Sequence, residues 1–170
     1  MLLIAKVLNT GLCINEKIED LDTECEHLQF PSFVKPAKAG DSLGIDEQSL
    51  VKNKTELKEK VRSTLNEYSP LLIEEYINGR EFTVMLSANP EDEKDPVVFK
   101  PVEYIFSEGN KFKTYALKTS ELHPYANIPV TDLILEKELK AAAKKIFNGF
   151  NGVGYARLDF RMNEKGELYF

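Results

Sequence analysis

Cysteine and histidine are scarce in this chain, and their scarcity removes several kinds of chemistry. The two cysteines, Cys13 and Cys25, are too few for a disulfide framework. Neither has a second ligand-spaced Cys or His beside it for zinc, which leaves two reduced structural thiols as the expectation. The two histidines, His27 and His123, lie far apart, without the serine or carboxylate pattern that orients a catalytic base. Excess positive charge is missing as well. With 22 Lys and Arg against 28 Asp and Glu, the formal net charge of −6 argues against non-specific attraction to nucleic acid or to an anionic membrane. Any anionic ligand has to be met by local basic residues. No charged segment followed by an apolar run opens the chain, and no apolar stretch approaches the roughly 20 residues of a membrane span. A cytoplasmic protein is expected, without nucleic-acid or membrane partners.

What is present is an ordinary globular composition: 170 residues with 42% apolar content can build one domain of usual size or two small lobes. "MLLIAKVLNTGLCI" has apolar residues at helical spacing, with Gly11 placed to stop a short helix and no capping side chain before Met1. Together with a chain that stops inside its last strand, "ELYF", this predicts segments missing at both ends. "LQFPSFVKP" reads as a strand after a proline and leads into the loop "AKAGDSLGI". Thr55 then opens an amphipathic helix with Leu57, Val61 and Leu65 on one face, which breaks before Pro70. "LLIEEYI" and "EFTVMLSA" read as a strand and its returning partner about the Asn78-Gly79 turn pair, "NPEDEKDP" as a loop and "VVFKPVEYIF" as a strand. After a long polar segment, Asp132 opens the helix "LILEKELKAAAKKIFNGF", and "VGYARLDFRM", "NEKG" and "ELYF" form a hairpin. Helices interleaved with hairpins favour α+β layers over a purely parallel doubly wound sheet.

Three stretches carry polar groups in patterns that chemistry uses. Lys35 ends a strand and precedes Pro36, which removes an amide and enforces extended backbone before the glycine loop. A lysine held there, with Gly40, Ser42 and Gly44 offering amides and a hydroxyl, suits phosphate oxygens. A solvated lysine before an ordinary turn fits the same residues, and the loop is neither a Walker A sequence nor a Rossmann fingerprint. In "LLIEEYINGREF", Glu74, Glu75 and Glu81 can take the adenine amine and ribose hydroxyls, or guard an exposed strand edge. The second reading is preferred for Glu75, and both stay open for Glu74 and Glu81. "YARLDFR" puts Tyr155, Arg157, Asp159 and Arg161 on one strand face and Ala156, Leu158 and Phe160 on the other. Either Asp159 binds a hard cation while Arg157 neutralises a phosphoryl group, or the two form a surface ion pair worth less than about 1 kcal/mol.

Taken in order, the strand with Lys-Pro, the Gly-x-Ser-x-Gly loop, "IEEYINGREFTV", "PVEYIF", a polar loop with a lysine and "GYARLDFR" before a hairpin resemble the ATP-grasp fold. Within it they are similar to the D-alanine–D-alanine ligase branch, from about residue 30 to the end. The resemblance implies two α+β lobes, residues 1–80 and 81–170, clamping ATP and joining a carboxylate to an amine through an acyl phosphate. Carried over to this sequence, Lys35 would hold the α and β phosphates. The Gly40–Gly44 loop, with Ser42, would close over the β and γ phosphates. Glu74 and the backbone near Glu75 and Ile77 would bind adenine, Tyr76 would lie against its ring, and Glu81 would bind ribose. Lys118, in "TYALKT", falls where the family's mobile loop supplies a lysine to the terminal phosphates, and Lys6 near a further phosphate lysine. Arg157 would stabilise the acyl phosphate and the tetrahedral intermediate, and Asp159 would ligate magnesium. Ser42, Lys118 and Arg157 are thus the catalytic candidates, ATP and Mg2+ the implied cofactors, and a small carboxylate and amine, amino acids among them, the implied substrates. Peptidoglycan biosynthesis and a homodimer of a longer protein belong to the same expectation.

This chemistry has a physical logic. Carboxylates are poor electrophiles, so coupling needs the γ-phosphoryl group, and the transferring oxygens need cations around them. Lys35, Lys118, Arg157 and magnesium would supply those cations in an acidic chain, with residues 107–130 as a lid over a water-sensitive intermediate. The chain also departs from the pattern. Asp41 and Thr119 stand where the family usually has the first of two adjacent serines and a lid tyrosine, which leaves the amino acids joined an open question. A Glu-x-Asn motif that completes the family's magnesium site would begin about where this chain ends, so little turnover is expected from it alone. The alternative is a non-catalytic nucleotide-binding module of the same fold.

Overall fold

The computed structural model describes residues 12–40, 42–106 and 126–170. They fall into two compact units, one running to Tyr76 and one from Ile77 onward. In the first, β1 (Leu12–Asn15), β2 (Ser32–Pro36), β3 (Leu50–Val51) and β4 (Leu71–Glu75) form an antiparallel sheet in the order β1-β4-β2-β3. After Gly11, where the helix read at the start of the chain is expected to stop, Leu12–Asn15 form strand β1. Four residues cannot reveal their period, and the ladder from Leu12–Asn15 to Glu74–Leu71 decides. The expected helix itself lies outside the described residues.

The short helix α1 (Leu21–Glu24) and α2 (Lys54–Leu65) cover one face of this sheet. Val34, Leu71 and Ile73 from the strands pack there against Leu21, Leu57 and Val61, each burial contributing roughly 1.5–3 kcal/mol. Leu65 is only partly buried against this core. The start of α2 corrects the sequence reading. Asn53, not Thr55, is the cap, its Oδ1 accepting from the amides of Thr55 and Glu56 at 3.0 Å each, and Glu56 reaches back to the Lys52 amide at 2.8 Å. A second correction concerns the cysteines. Cys13 on β1 and Cys25 after α1 form a disulfide, their Cα atoms 5.6 Å apart, in place of the expected reduced thiols. Their spacing of 12 residues carried no such signal; the packing of α1 beside β1 brings the two buried side chains together.

The second unit contains β5 (Arg80–Ser87), β6 (Val97–Val98), β7 (Val102–Tyr104), β8 (Asn127–Pro129), α3 (Leu133–Gly149), β9 (Tyr155–Met162) and β10 (Leu168–Tyr169). Among the described residues its sheet has the order β10-β9-β5-β7-β8, with β6 also on β5 and every ladder antiparallel. The hairpin expected about Asn78-Gly79 is therefore not one: β4 and β5 belong to different sheets. Both edges of β4 are taken by β1 and β2, and those of β5 by β9 on one side and β6 and β7 on the other. The single strand expected over "VVFKPVEYIF" is split into β6 and β7, with Pro101, which has no amide to donate, between them.

Asp132 caps α3 as its position predicts, accepting from the amides of Ile134 at 2.9 Å and Leu135 at 3.2 Å. Leu135, Leu139, Ala142, Ala143 and Phe147 then recur at helical spacing and pack on Phe82, Val84, Leu86 and Phe160. Because strand side chains alternate, that packing turns the other face of β5 and β9 away from α3. No described helix is long and apolar enough to cross a membrane.

Candidate active site

In the first unit the candidates stand on the sheet face opposite α2. The ladder of β2 with β4 places Phe33 opposite Glu74 and Lys35 opposite Leu72, while their neighbours Val34 and Ile73 enter the core. Lys35 and Glu74 are thus diagonal neighbours on one face, and Lys35 Nζ donates to Glu74 Oε1 at 2.7 Å with both side chains about a quarter to a third exposed. The backbone of Lys35 is locked by a central strand, so its ammonium moves only through its own side-chain torsions. Glu75 turns to the opposite face, where Oε1 accepts the Gln29 amide at 3.3 Å. It guards no strand edge, because β4 lies between β1 and β2. The Tyr76 amide donates to the Pro31 carbonyl at 2.9 Å, and its ring lies 6.3 Å from that of Phe33.

The glycine loop follows β2 directly. The Leu43 amide donates to Gly40 O at 3.1 Å and the Ile45 amide to Ser42 O at 3.0 Å, winding the loop into consecutive turns. Ser42 has φ 60° and is buried, and Gly44 has φ 72°. A Cβ at Gly44 would sit 2.7 Å from Pro36 Cγ and 3.1 Å from the Tyr68 ring. Glycine is required because the loop folds back against the end of the strand that carries Lys35. Beyond the loop, Asp46 accepts from the Gln48 amide at 2.9 Å and from the buried ammonium of Lys60 at 2.8 Å. Asp41, Lys6, Lys118 and Thr119 lie outside the described residues.

In the second unit the face turned away from α3 carries the charged groups. The register pairs Glu81 with Arg161, Thr83 with Asp159 and Met85 with Arg157. Thr83 Oγ1 donates to Asp159 Oδ1 at 2.7 Å, and Arg157 approaches the same carboxylate with Nε 3.4 Å from Oδ1 and Nη2 3.4 Å from Oδ2. Both Arg157 and Asp159 are more than half exposed, so this pair is weak as a stabilising contact. Arg161 is held more closely: Nε donates to Ile77 O at 2.6 Å and Nη1 to Glu81 Oε2 at 3.1 Å. Tyr104 stands opposite Glu81 on β7, and burial, followed by the Glu81 charge, pushes its phenol pKa up.

Thr83 was missed in the sequence, although alternation from Glu81 along "EFTV" puts it on the same face. Arg161 was placed on the face without a role, because its partners Ile77 and Gly79 become neighbours only through the fold. Among the described residues no cluster of three or more His, Cys, Asp or Glu could hold a metal. One exposed carboxylate, Asp159, fits a cation of the magnesium type, which is commonly bound through one or two carboxylates with phosphate oxygens and water completing its shell.

A sequence profile described as D-ala D-ala ligase C-terminus matches residues 6–170. The chain belongs to that family. Curated relatives of this D-Ala–D-Ala ligase family member include D-alanine–D-alanine ligase B of Clostridium tetani, 36% identical over 157 residues, covering 89% of this chain and 40% of the relative. The D-alanine–D-alanine ligase of Streptococcus thermophilus is 32% identical over 169 residues, covering 98% of this chain and 46% of the relative. This family member thus spans less than half the length of either. Its fold is similar to that of the VanG D-Ala:D-Ser ligase from Enterococcus faecalis, with a TM-score of 0.73 at 23% identity, covering 98% of this chain and 47% of that one. The D-alanine–D-alanine ligase from Bacillus anthracis, solved with ATP, gives a TM-score of 0.68 at 20% identity over 96% of this chain and 47% of its own. The fold is α+β, of the ATP-grasp type.

Proposed function

We propose that this chain is the ATP-binding portion of an ATP-dependent ligase that joins a carboxylate to an amine through an acyl phosphate, with amino acids as substrates and residues 1–80 and 81–170 as its two lobes. The observation that carries the reading is the family match across residues 6–170. The arrangement within each unit supports it. In the first unit a lysine fixed on a central strand, Lys35, stands beside Glu74 and next to a tightly wound loop of Gly40, Ser42 and Gly44, a set suited to phosphates and a purine amine. The backbone near Glu75 and Ile77, with the Tyr76 ring, would take the base, and Glu81 the ribose.

In the second unit Arg157 supplies the cation for a developing phosphoryl or tetrahedral anion, a role also proposed for Lys118. Asp159, oriented by the Thr83 hydroxyl, would hold Mg2+, which when bound neutralises charge on the transferring phosphoryl oxygens. A cytoplasmic location, a role in peptidoglycan synthesis and a homodimer of the longer protein belong to the same proposal.

Calorimetric titration of ADP, with and without Mg2+, into this chain and its Lys35→Ala variant tests the reading. Saturable, magnesium-enhanced binding is expected, weakened in the variant by about 1.5–3 kcal/mol for loss of a charge-assisted contact. Equal affinity in both proteins would remove Lys35 from the phosphate site. Absence of binding in the parent chain would reject a nucleotide site in this portion.

A further inference from the structure

All three guanidinium nitrogens of Arg161 donate to the stretch from Ile77 to Glu81, where the chain enters β5. Nε donates to Ile77 O at 2.6 Å, Nη2 to Gly79 O at 3.3 Å and Nη1 to Glu81 Oε2 at 3.1 Å. The Arg161 and Glu81 side chains are 19% and 17% exposed, so the ion pair is far better shielded than Arg157 with Asp159. All of these groups lie within the second unit. A planar fork with donors in fixed directions, meeting three acceptors from one five-residue stretch, constrains that stretch in a way a lysine or an apolar side chain cannot. It sets the path of the chain from Ile77 to Gly79 and aims the carboxylate of Glu81 at once. The side chain arrives from β9, where register pairs Arg161 with Glu81, so the constraint is transmitted through the sheet and not through local sequence.

We propose that Arg161 is a positioning residue for sugar recognition: it holds Glu81 in the orientation that accepts hydrogen bonds from the vicinal hydroxyls of a nucleotide's ribose. The inference rests on the nucleotide-binding reading given above. A carboxylate has about four lone-pair sites over its two oxygens, so the ion pair from Arg161 to Oε2 orients the group without using up its capacity to accept from hydroxyls. An oriented carboxylate discriminates a diol from a sugar that lacks one hydroxyl, because the missing donor leaves a shielded anion short of a partner. A carboxylate free to rotate turns to water and loses the discrimination.

The experiment compares ADP with 2′-deoxy-ADP and 3′-deoxy-ADP by calorimetry in the parent chain, Arg161→Met, Arg161→Lys, Glu81→Gln and the Arg161→Met/Glu81→Gln double variant. The parent is expected to prefer ADP by roughly tenfold or more, the worth of a hydrogen bond to a charged group. That ratio should fall to less than about threefold in Arg161→Met, and Arg161→Met should change the ratio no further once Glu81→Gln is present. Arg161→Lys, which keeps the charge without the fork, should keep the fold and still lose most of the ratio; it decides the matter if Arg161→Met does not fold. The ratio is the readout because a merely structural arginine would weaken all three ligands alike. A ratio unchanged in Arg161→Lys and Arg161→Met, or a parent that binds ADP without preference, overturns the positioning role and leaves nucleotide binding standing. A parent that binds none of the three overturns the nucleotide reading and this inference with it.

Discussion

Replacing Asp46 by asparagine should strand a buried cation. The Lys60 side chain is 5% exposed on the packed face of α2, and its ammonium lies 2.8 Å from a carboxylate that is itself 60% exposed. The two partners are therefore unequal: without Asp46 a charge remains in the protein interior, whereas without Lys60 a carboxylate remains in water. Breaking a buried pair from one side costs about 3–5 kcal/mol, while exchanging a buried ion for a well-packed apolar side chain is often neutral. Since Asp46 is largely wet, a value below that range applies, about 2–3 kcal/mol for Asp46→Asn against less than about 1 kcal/mol for Lys60→Met. Asparagine keeps an oxygen for the Gln48 amide, now bonded at 2.9 Å, so loss of the cap adds little. Hydrogen exchange at the Leu57 and Val61 amides reads the first unit by itself. Asp46→Asn should speed it roughly 30- to 150-fold and Lys60→Met less than about fivefold, with the double variant following Lys60→Met. If Lys60→Met proves as damaging as Asp46→Asn, the ammonium contributes more than its burial costs and the stranded-charge argument fails.

Gly79→Ala should be among the most damaging single changes in the second unit. Its Cβ would fall 2.0 Å from the Met162 carbonyl oxygen at φ 142°, a clash with backbone that no rotamer relieves. A loss of at least about 2 kcal/mol in chemical denaturation is expected, while Gly149→Ala, whose Cβ meets nothing within 4 Å, should stay within about 0.5 kcal/mol. Asp159→Asn should reduce the enhancement of ADP affinity by magnesium more than it reduces metal-free affinity. The opposite order would make Asp159 a structural partner of Thr83 and Arg157. Glu136 supplies a pH test: a hydrogen bond from Lys140, at 2.7 Å, is the main cause that holds its carboxyl below the ordinary value. The folded state then binds fewer protons than the unfolded one, so the contribution is complete above the unfolded carboxyl's pKa and disappears as pH falls through the folded one. Thermal melts should show Glu136→Gln less stable than the parent near pH 7, with the gap closing by about pH 2.

Several features are legible in the sequence because they are encoded locally. Leu57 and Val61, and Leu135, Leu139 and Phe147, repeat with the period of a helix; Phe82, Val84 and Leu86 repeat with the period of a strand; Asp132 offers an acceptor where α3 has unpaired amides. The alternation in "YARLDFR" likewise predicts one charged and one apolar face, and the packing of Leu158 and Phe160 on α3 side residues agrees. What local pattern cannot encode is which strand edge meets which. The Asn78-Gly79 pair is a good hairpin signal, yet β4 and β5 separate because each already has partners on both edges.

The same limit applies to the cysteines and to the candidate site. Cys13 and Cys25 become partners only once α1 packs beside β1. Sequence alone placed Lys35 at a strand end before a glycine loop and set Arg157, Asp159 and Arg161 on a common face. The tertiary structure decided that Glu74 meets Lys35, that Thr83 orients Asp159, and that Arg161 reaches back to Ile77, Gly79 and Glu81. The physical reason is one of range. Backbone periodicity and capping act over a turn or two of chain, whereas these contacts join residues 39 to 84 positions apart and exist only when hydrogen-bonded register brings the strands together.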